Sequence, residues 1–184
     1  MTIATITTLA LAALLLIATV AIYNRLVALN RRCDQASADI DVQLKQRNDL
    51  IPNLVETVKG YAGHERGTLE AVMKARNAAM AAPSAGAEAA LGGALGRLMV
   101  VAEAYPDLKA SASFIELQAE ISDTENKIAA ARRYLNNATN EYNTSREQFP
   151  SNIVADAFSF PTRATAVIAP ENRTQMETAP AVRF

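Results

Sequence analysis

Tryptophan is absent from this 184-residue sequence, and only 5% of its residues are aromatic. Alanine dominates the apolar half of the composition, which favours closely packed helices over strands. The single cysteine, Cys33, excludes an intrachain disulfide and a thiolate metal cage. Eighteen basic residues against nineteen acidic ones give a net charge of -1, so no bulk positive field exists to collect nucleic acid. We expect an all-α protein with no nucleic-acid partner.

Recognisable catalytic motifs are also missing. His64 is the sole histidine, and a zinc site would need further nitrogen or thiolate ligands. The sequence contains no nucleophile elbow, phosphate-binding glycine loop or dinucleotide fingerprint. We therefore predict no catalytic residue, no cofactor and no metal ion.

A long apolar run is the most prominent feature that is present. Residues 3–22 read IATITTLALAALLLIATVAI without a charge, and twenty helical residues span about 30 Å, the hydrocarbon thickness of a bilayer. We predict a transmembrane anchor over residues 1–22. A cleaved signal peptide is the alternative, but signal peptides begin with a basic region and have shorter apolar cores.

The charges that flank this run predict its direction. Arg25, Arg31 and Arg32 follow the run and no basic residue precedes it. The positive-inside rule then places the N-terminus outside and the bulk of the chain in the cytoplasm, on a bacterial inner membrane. A periplasmic location for the helical part is the second choice.

Apolar residues recur every three or four positions over residues 23–149, which predicts a helical bundle there. Pro52 either ends the first helix or kinks it, and we favour a break with Asp49 as the N-cap of a new helix. The Pro-, Ser- and Gly-containing segment 81–88 predicts a loop. Pro106 is expected to end the third helix near Tyr105. The fourth helix carries the longest alternation and is expected to stop at Phe149.

Four helical segments with short connections predict an up-down-up-down, coiled-coil-like four-helix bundle on the anchor. The fourth helix is longer than the third, so part of its apolar seam lacks a partner within the chain and predicts a homo-oligomer. Leu135, Tyr142 and Phe149 represent this self-association seam. Residues 150–160 predict a short amphipathic segment, and residues 161–184 a flexible C-terminal tail.

Polar residues around Pro52 form the most unusual local pattern. We predict a polar network between helices, or a protein-docking patch, with members on two helices. They are Arg47, Asp49, Pro52, Asn53 and Glu56 on the first helix, with Arg132, Asn136 and Asn137 on the last. Ordinary capping of helix ends at Pro52 is the alternative.

Three stretches resemble the signatures of a known family. DVQLKQRNDLIPNLVETVKGYAGHE over residues 41–65, TENKIAAARRYLNNATNEYN over 124–143 and FPSNIVADAFSF over 149–160 are similar to those of the LemA family, in the expected order. The resemblance implies a membrane-bound helical bundle without established enzymatic activity, with some relatives associated with specialised membranes such as magnetosomes. Asn48 and Cys33 depart from the usual pattern, and the first departure weakens any metal or acid-base role there.

These observations predict a non-enzymatic, membrane-anchored scaffold or adaptor. Its expected partners are membrane lipid, further copies of the chain and other membrane or envelope proteins. Membrane remodelling, or the organisation of a specialised membrane, is the alternative function. An enzyme with an unrecognised site is a further alternative, and it requires a polar cavity with convergent titratable groups.

Overall fold

The computed structural model describes residues 2–165, and all of its regular structure is helical. Six helices follow one another along the chain: α1 (Ile3–Tyr61), α2 (Arg66–Ala81), α3 (Ala85–Glu103), α4 (Pro106–Lys109), α5 (Ala112–Glu147) and α6 (Ser151–Ala157). The expected all-α class is therefore confirmed. The chain divides into two compact units, and α1 and α5 each contribute residues to both units.

The central unit comprises residues 41–129. Its core combines the C-terminal part of α1, the helices α2 to α4 and the N-terminal part of α5. Large buried side chains of this core include Ile51, Leu54, Val58, Val72, Leu91, Leu98 and Leu108. Phe114 and Ile121 join the core from α5, as their three-four spacing predicted.

The terminal unit comprises residues 2–40 and 130–165. Its interior has two clusters, one formed by Leu29, Cys33, Ala138 and Tyr142, and the other by Leu26, Val154 and Ala155. Phe160 packs against both clusters. The cysteine therefore serves as a small buried apolar residue.

The predicted break at Pro52 is wrong, because α1 continues through this residue to Tyr61. Proline has no amide hydrogen, so the carbonyl of Asn48, four residues earlier, loses its helical partner. Arg76 of α2 donates from Nε to this carbonyl oxygen at 2.7 Å. A side chain from another helix thus replaces the missing backbone bond.

Other helix ends differ by a few residues from their predicted positions. Asp49 is not an N-cap, and its carboxylate pairs with Lys45 along the exposed face of α1. Ser84 caps α3 by accepting a hydrogen bond from the Ala87 amide, so the loop before α3 is shorter than predicted. Pro106 does not directly terminate α3, which ends at Glu103, but begins α4, where its missing amide is harmless.

A chain reversal follows α6. The amide of Phe160 donates to the carbonyl of Ala155, and the amide of Ser159 donates to that of Asp156. This pair of bonds is the Schellman pattern, in which the residue after the helix adopts a left-handed conformation. Ser159 does so with a φ of 56°. The reversal returns Phe160 to the core beside Leu26.

Candidate functional site

A buried arginine lies at the centre of the most heavily charged contact in the central unit. Arg47 of α1 is 3% exposed, and one terminal nitrogen donates to Glu125 Oε1 of α5 at 2.8 Å. Its other terminal nitrogen donates to Glu88 of α3. Arg47, Glu88 and Glu125, which we call the Arg47 cluster, therefore connect three helices.

Solvent reaches the two carboxylates unequally. The Glu88 side chain is 9% exposed, whereas that of Glu125 is 44% exposed. The pair with Glu88 is thus a buried ion pair, whose removal from water has to be offset by good geometry. The pair with Glu125 is partly screened and contributes less. This arrangement can hold α1, α3 and α5 in one register.

The predicted polar network differs in composition from this cluster. Of its members, Arg47 alone takes part in the cluster, because Asp49 pairs with Lys45 and Glu56 with Lys59 on the surface of α1. Asn53, Arg132 and Asn137 are exposed. Pro52 and Asn136 are half-buried, and the Asn136 side-chain oxygen finds no hydrogen-bond partner among residues 2–165.

Sequence reasoning missed both acidic partners of Arg47. The predicted loop over residues 81–88 includes Glu88, although this residue lies four positions after the cap residue Ser84 and so occupies the first turn of α3. The charge of Glu125 by itself predicts a position on a solvated face of α5, but this residue directly follows Thr124, which is buried along the three-four spacing of the apolar seam. The position of Glu125 at the edge of the apolar seam was the feature of the sequence that could have indicated a contact with another helix.

Tyr142 is the centre of a second polar contact, in the terminal unit. Its side chain is fully buried, and its hydroxyl donates to the carbonyl of Pro161 at 2.8 Å. Burial raises the pKa of this hydroxyl, and the nearby charges of Arg163 and Arg146 partly offset the rise. Residues of the same chain cover the Tyr142 ring, so this member of the predicted self-association seam is not available to a second copy.

The other two seam residues are differently placed. Leu135 is half-buried, and Phe149 is exposed just beyond the end of α5.

Two α5 residues form hydrogen bonds with the segment after α6. The Asn143 side chain forms two hydrogen bonds with the backbone of Arg163, and Arg146 donates to the carbonyl of Phe160 at 2.8 Å.

Arg163 also reaches α1. Its guanidinium donates to Asn30 Oδ1 at 2.7 Å and to Asp34 Oδ1 at 2.5 Å. Residues at the start of the predicted flexible tail are therefore attached to both long helices. The rest of that tail, residues 166–184, lies outside the described part of the chain.

Grooves of the central unit lie beside α3. One of about 390 Å³ is lined by Gly92, Leu95, Gly96, Met99, Gln118, Ile121, Ser122 and Glu125. Another of about 220 Å³ lies near Met99, Lys109 and Phe114. Within residues 2–165, no three His, Cys, Asp or Glu side chains are grouped to hold a metal ion.

In the part of the chain that the structure describes, length and composition identify two helices that are apolar enough to cross a membrane. The most apolar stretch of α1 has a mean hydropathy of 2.4 and no buried residue. α3 has a lower value of 1.3, and a third of its apolar stretch is buried in the core of the central unit. The N-terminal run of α1 is thus the better membrane segment.

Exposed apolar residues at the start of α1 and packed helices thereafter define a membrane-associated helical protein. A family model described as the LemA family matches residues 36–184, which is most of the chain. This chain belongs to the LemA family. The resemblance that the three sequence signatures indicated is therefore confirmed.

Curated relatives of this chain include magnetosome proteins. "Magnetosome protein MamQ 1" and "Magnetosome protein MamQ 2" of Paramagnetospirillum magneticum are each 23% identical to it, over 72% of this chain and 60% of their own length. "Magnetosome protein MamQ" of Magnetospirillum gryphiswaldense is 22% identical over the same shares. The matching region thus spans about three fifths of these relatives.

Proposed function

We propose that this protein is a membrane-anchored helical scaffold that associates with copies of itself and organises other membrane or envelope proteins, without catalysing a reaction. One observation carries this proposal. The single helix α1 contains both an exposed apolar run of membrane-spanning length and buried residues of both units. An anchor that continues as a core helix couples the folded part of the chain directly to the bilayer.

The threonines of the apolar run support its place in lipid. Thr5, Thr7, Thr8 and Thr19 each donate their hydroxyl hydrogen to a backbone carbonyl three or four residues earlier. A hydroxyl that is bonded within its own helix does not need water. These hydrogen bonds therefore reduce the free-energy cost of placing the threonine hydroxyls inside the membrane.

The location follows from the charges after the run. We propose a single-pass protein of the bacterial inner membrane, with its N-terminus outside and its helical part in the cytoplasm. The helical part is proposed to form an antiparallel bundle. Reaction of an impermeant thiol reagent with Ser37→Cys in intact and in opened cells tests this orientation, because Ser37 is exposed. Labelling in intact cells would instead indicate the periplasmic alternative.

The surface proposed for self-association is the exposed face of α3. Gly92 and Gly96 are four residues apart, and a methyl group added at either would meet no atom within 4 Å. Val100, on the same face, is 68% exposed. Glycines at this spacing let two helices approach closely, so a second copy of α3 is the proposed occupant.

A substitution on this face tests the proposal. The full chain in a mild detergent is sized by native mass spectrometry, alone and with Gly96→Leu. A Cβ atom added at residue 96 meets nothing within 4 Å in the single chain, whereas the leucine side chain blocks the close approach of a second helix, so we expect the oligomer to be lost. Gly86→Leu is the matched control, because Gly86 lies in the first turn of α3, away from the Gly92 and Gly96 pair, and also has open space around it.

Each result has a clear meaning. A monomeric unmodified chain would exclude self-association. An oligomer that survives Gly96→Leu would show that the copies meet elsewhere, and an oligomer lost in both variants would indicate a general effect on α3. Loss in Gly96→Leu alone supports the proposal.

The non-catalytic part of the proposal rests on how charged groups are used. Glu125 lines the larger groove, but its carboxylate is bound to Arg47. The Tyr142 hydroxyl is likewise bound to a backbone carbonyl. These groups hold the fold together. A small molecule that raises the unfolding temperature of the full chain, and does so less after Ser122→Leu in this groove, would reveal a ligand site there, which the enzyme alternative requires.

Organisation of a specialised membrane is a second candidate, favoured by the names of the magnetosome relatives. It predicts that a fluorescent fusion of the full chain concentrates at particular membrane sites. The Gly96→Leu variant should then spread evenly over the membrane, because clustering would depend on contacts between copies. An even distribution of the unmodified chain would contradict this candidate.

A further inference from the structure

Beyond the anchor, a second apolar surface lies in the terminal unit. Val154 and Ala155 of α6 are buried against Leu26 of α1, and Ile22 packs on the same cluster. Ile22 is the last residue of the apolar run over residues 3–22. The short helix α6 therefore lies against α1 where the membrane segment ends.

The path of the chain supports this placement. Ala138 and Tyr142 of α5 pack at the level of Leu29 and Cys33, and Arg32 is bound to Glu141 at 2.8 Å. After α5 ends, the chain packs at the level of Ile22 and Leu26. Between Tyr142 and α6, the chain therefore approaches the apolar run of α1.

Large apolar side chains project from this region away from the core. Phe149 is 79% exposed, Ile153 is 61% exposed and Phe158 is 55% exposed. Three such residues within ten positions are costly in water, since each leaves apolar area uncovered. The buried side of α6 packs on α1, and this contact leaves Ile153 and Phe158 uncovered.

Tyr23 joins this surface to the apolar run. Its ring meets Phe158 edge-to-face at a centroid distance of 4.9 Å, and Phe160 at 5.5 Å. Tyrosine is enriched where a membrane helix leaves the hydrocarbon, because its ring is apolar and its hydroxyl is polar. The apolar surface of residues 3–20 therefore continues through Tyr23 onto Phe158.

The charge on α6 indicates which lipid chemistry this surface fits. Asp156 is the charged residue of α6, and Arg146 neutralises it at 3.1 Å. Contact through Phe149, Ile153 and Phe158 is thus apolar and does not depend on anionic headgroups.

We propose that Phe149, Ile153 and Phe158 form a lipid-contact surface that enters the boundary between headgroups and acyl chains, so that α6 lies on the membrane beside the anchor. This rests on the membrane anchoring proposed above. The Schellman reversal at Ser159 and the bond from Arg146 to the Phe160 carbonyl hold the surface in place. The protein would then contact the bilayer at two adjacent elements.

Site-specific fluorescence in nanodiscs of phosphatidylcholine tests this surface. Ile153→Cys and Phe158→Cys are labelled with an environment-sensitive dye in the full chain, and the nanodiscs contain lipids with a quencher in the upper part of the acyl chain. We expect loss of emission and a blue shift at both positions. Ser37→Cys, at an exposed position of α1 fifteen residues beyond Ile22, is the control and should keep its emission.

Two internal checks separate the possible failures. Cys33 is fully buried, so unlabelled Cys33 reports an intact terminal unit in each variant. Ala18→Cys, four residues before the end of the apolar run, reports the anchor itself at the depth of the quencher. Quenching at residue 18 but not at 153 or 158 would overturn the lipid-contact surface and leave the anchor standing, whereas no quenching at residue 18 would overturn the anchor.

A second copy of the chain is the competing occupant. If labels at 153 and 158 are protected from an aqueous quencher but not reached by the lipid quencher, and energy transfer occurs between copies, the surface is a contact between chains and the proposal is wrong. Insensitivity of the lipid quenching to added salt is expected, since the contact is apolar.

Discussion

Replacing Arg47 with methionine tests whether the Arg47 cluster holds the central unit together. Methionine keeps much of the apolar stem but removes the charge, and it leaves the Glu88 carboxylate buried without a counter-charge. Breaking a buried pair on one side costs about 3–5 kcal/mol. Glu125 adds little because it is partly solvated, so we expect a loss near the lower limit, about 3 kcal/mol.

A double-mutant cycle isolates the contribution of the pair. Arg47→Met combined with Glu88→Leu removes both charges, and most of the lost stability should return because no unpaired charge stays buried. Asp49→Asn is the control, since its pair with Lys45 is exposed and should contribute less than about 1 kcal/mol. Urea unfolding of the full chain in detergent, followed by far-UV circular dichroism, gives the midpoints at unchanged slope.

A clear result would refute this reasoning. If Arg47→Met is as stable as the unmodified chain, with the same slope, then the buried charge does not connect α1, α3 and α5. If the double variant is as unstable as the single one, the loss arises from packing of the arginine stem and not from its charge.

Three further predictions concern single contacts. Arg76→Met should lower the free energy of unfolding by about 1–3 kcal/mol, because the Asn48 carbonyl would be left without a partner. Pro52→Ala should reduce this loss by restoring a backbone donor to that carbonyl. Unfolding curves of the single and double variants measure both effects. Ser159→Gly should add about 0.5–1 kcal/mol in the same assay by relieving a left-handed backbone, whereas Ser159→Ala should not. Because the pKa of Tyr142 is raised in the fold, its contribution to stability is complete below about pH 10 and is lost as the pH rises through its folded pKa. Tyr142→Phe should therefore weaken the alkaline loss of stability while costing about 1 kcal/mol at neutral pH, and a pH series of unfolding curves decides this.

Helix content and the apolar seam could be predicted because both depend on local patterns. The three-four spacing from Phe114 to Ser145 matches the side chains that are buried or half-buried along α5. The uncharged run over residues 3–22 likewise corresponds to an exposed apolar stretch of α1. Such spacings depend only on neighbouring residues of one helix, so they can be recognised in the sequence.

Contacts between residues that are distant in the sequence could not be predicted from it. Pro52 alone favours a helix break, but α1 continues through it, and Arg76, twenty-eight positions beyond Asn48, donates to the carbonyl that lacks its helical partner. Tyr142 has the periodicity of a contact surface, yet Pro161 and Phe160 return to cover it after a reversal that a serine, not a glycine, makes.

The sequence by itself determined that the chain is helical, that it begins with an apolar stretch of membrane-spanning length, and that it resembles LemA proteins. Tertiary structure decided which charges are buried together, where Glu88 and Glu125 meet Arg47, and which aromatic rings stay exposed beside Tyr23. The physical reason is that helix formation follows from neighbours three and four residues away, whereas an ion pair or a capped carbonyl depends on groups brought together only by folding.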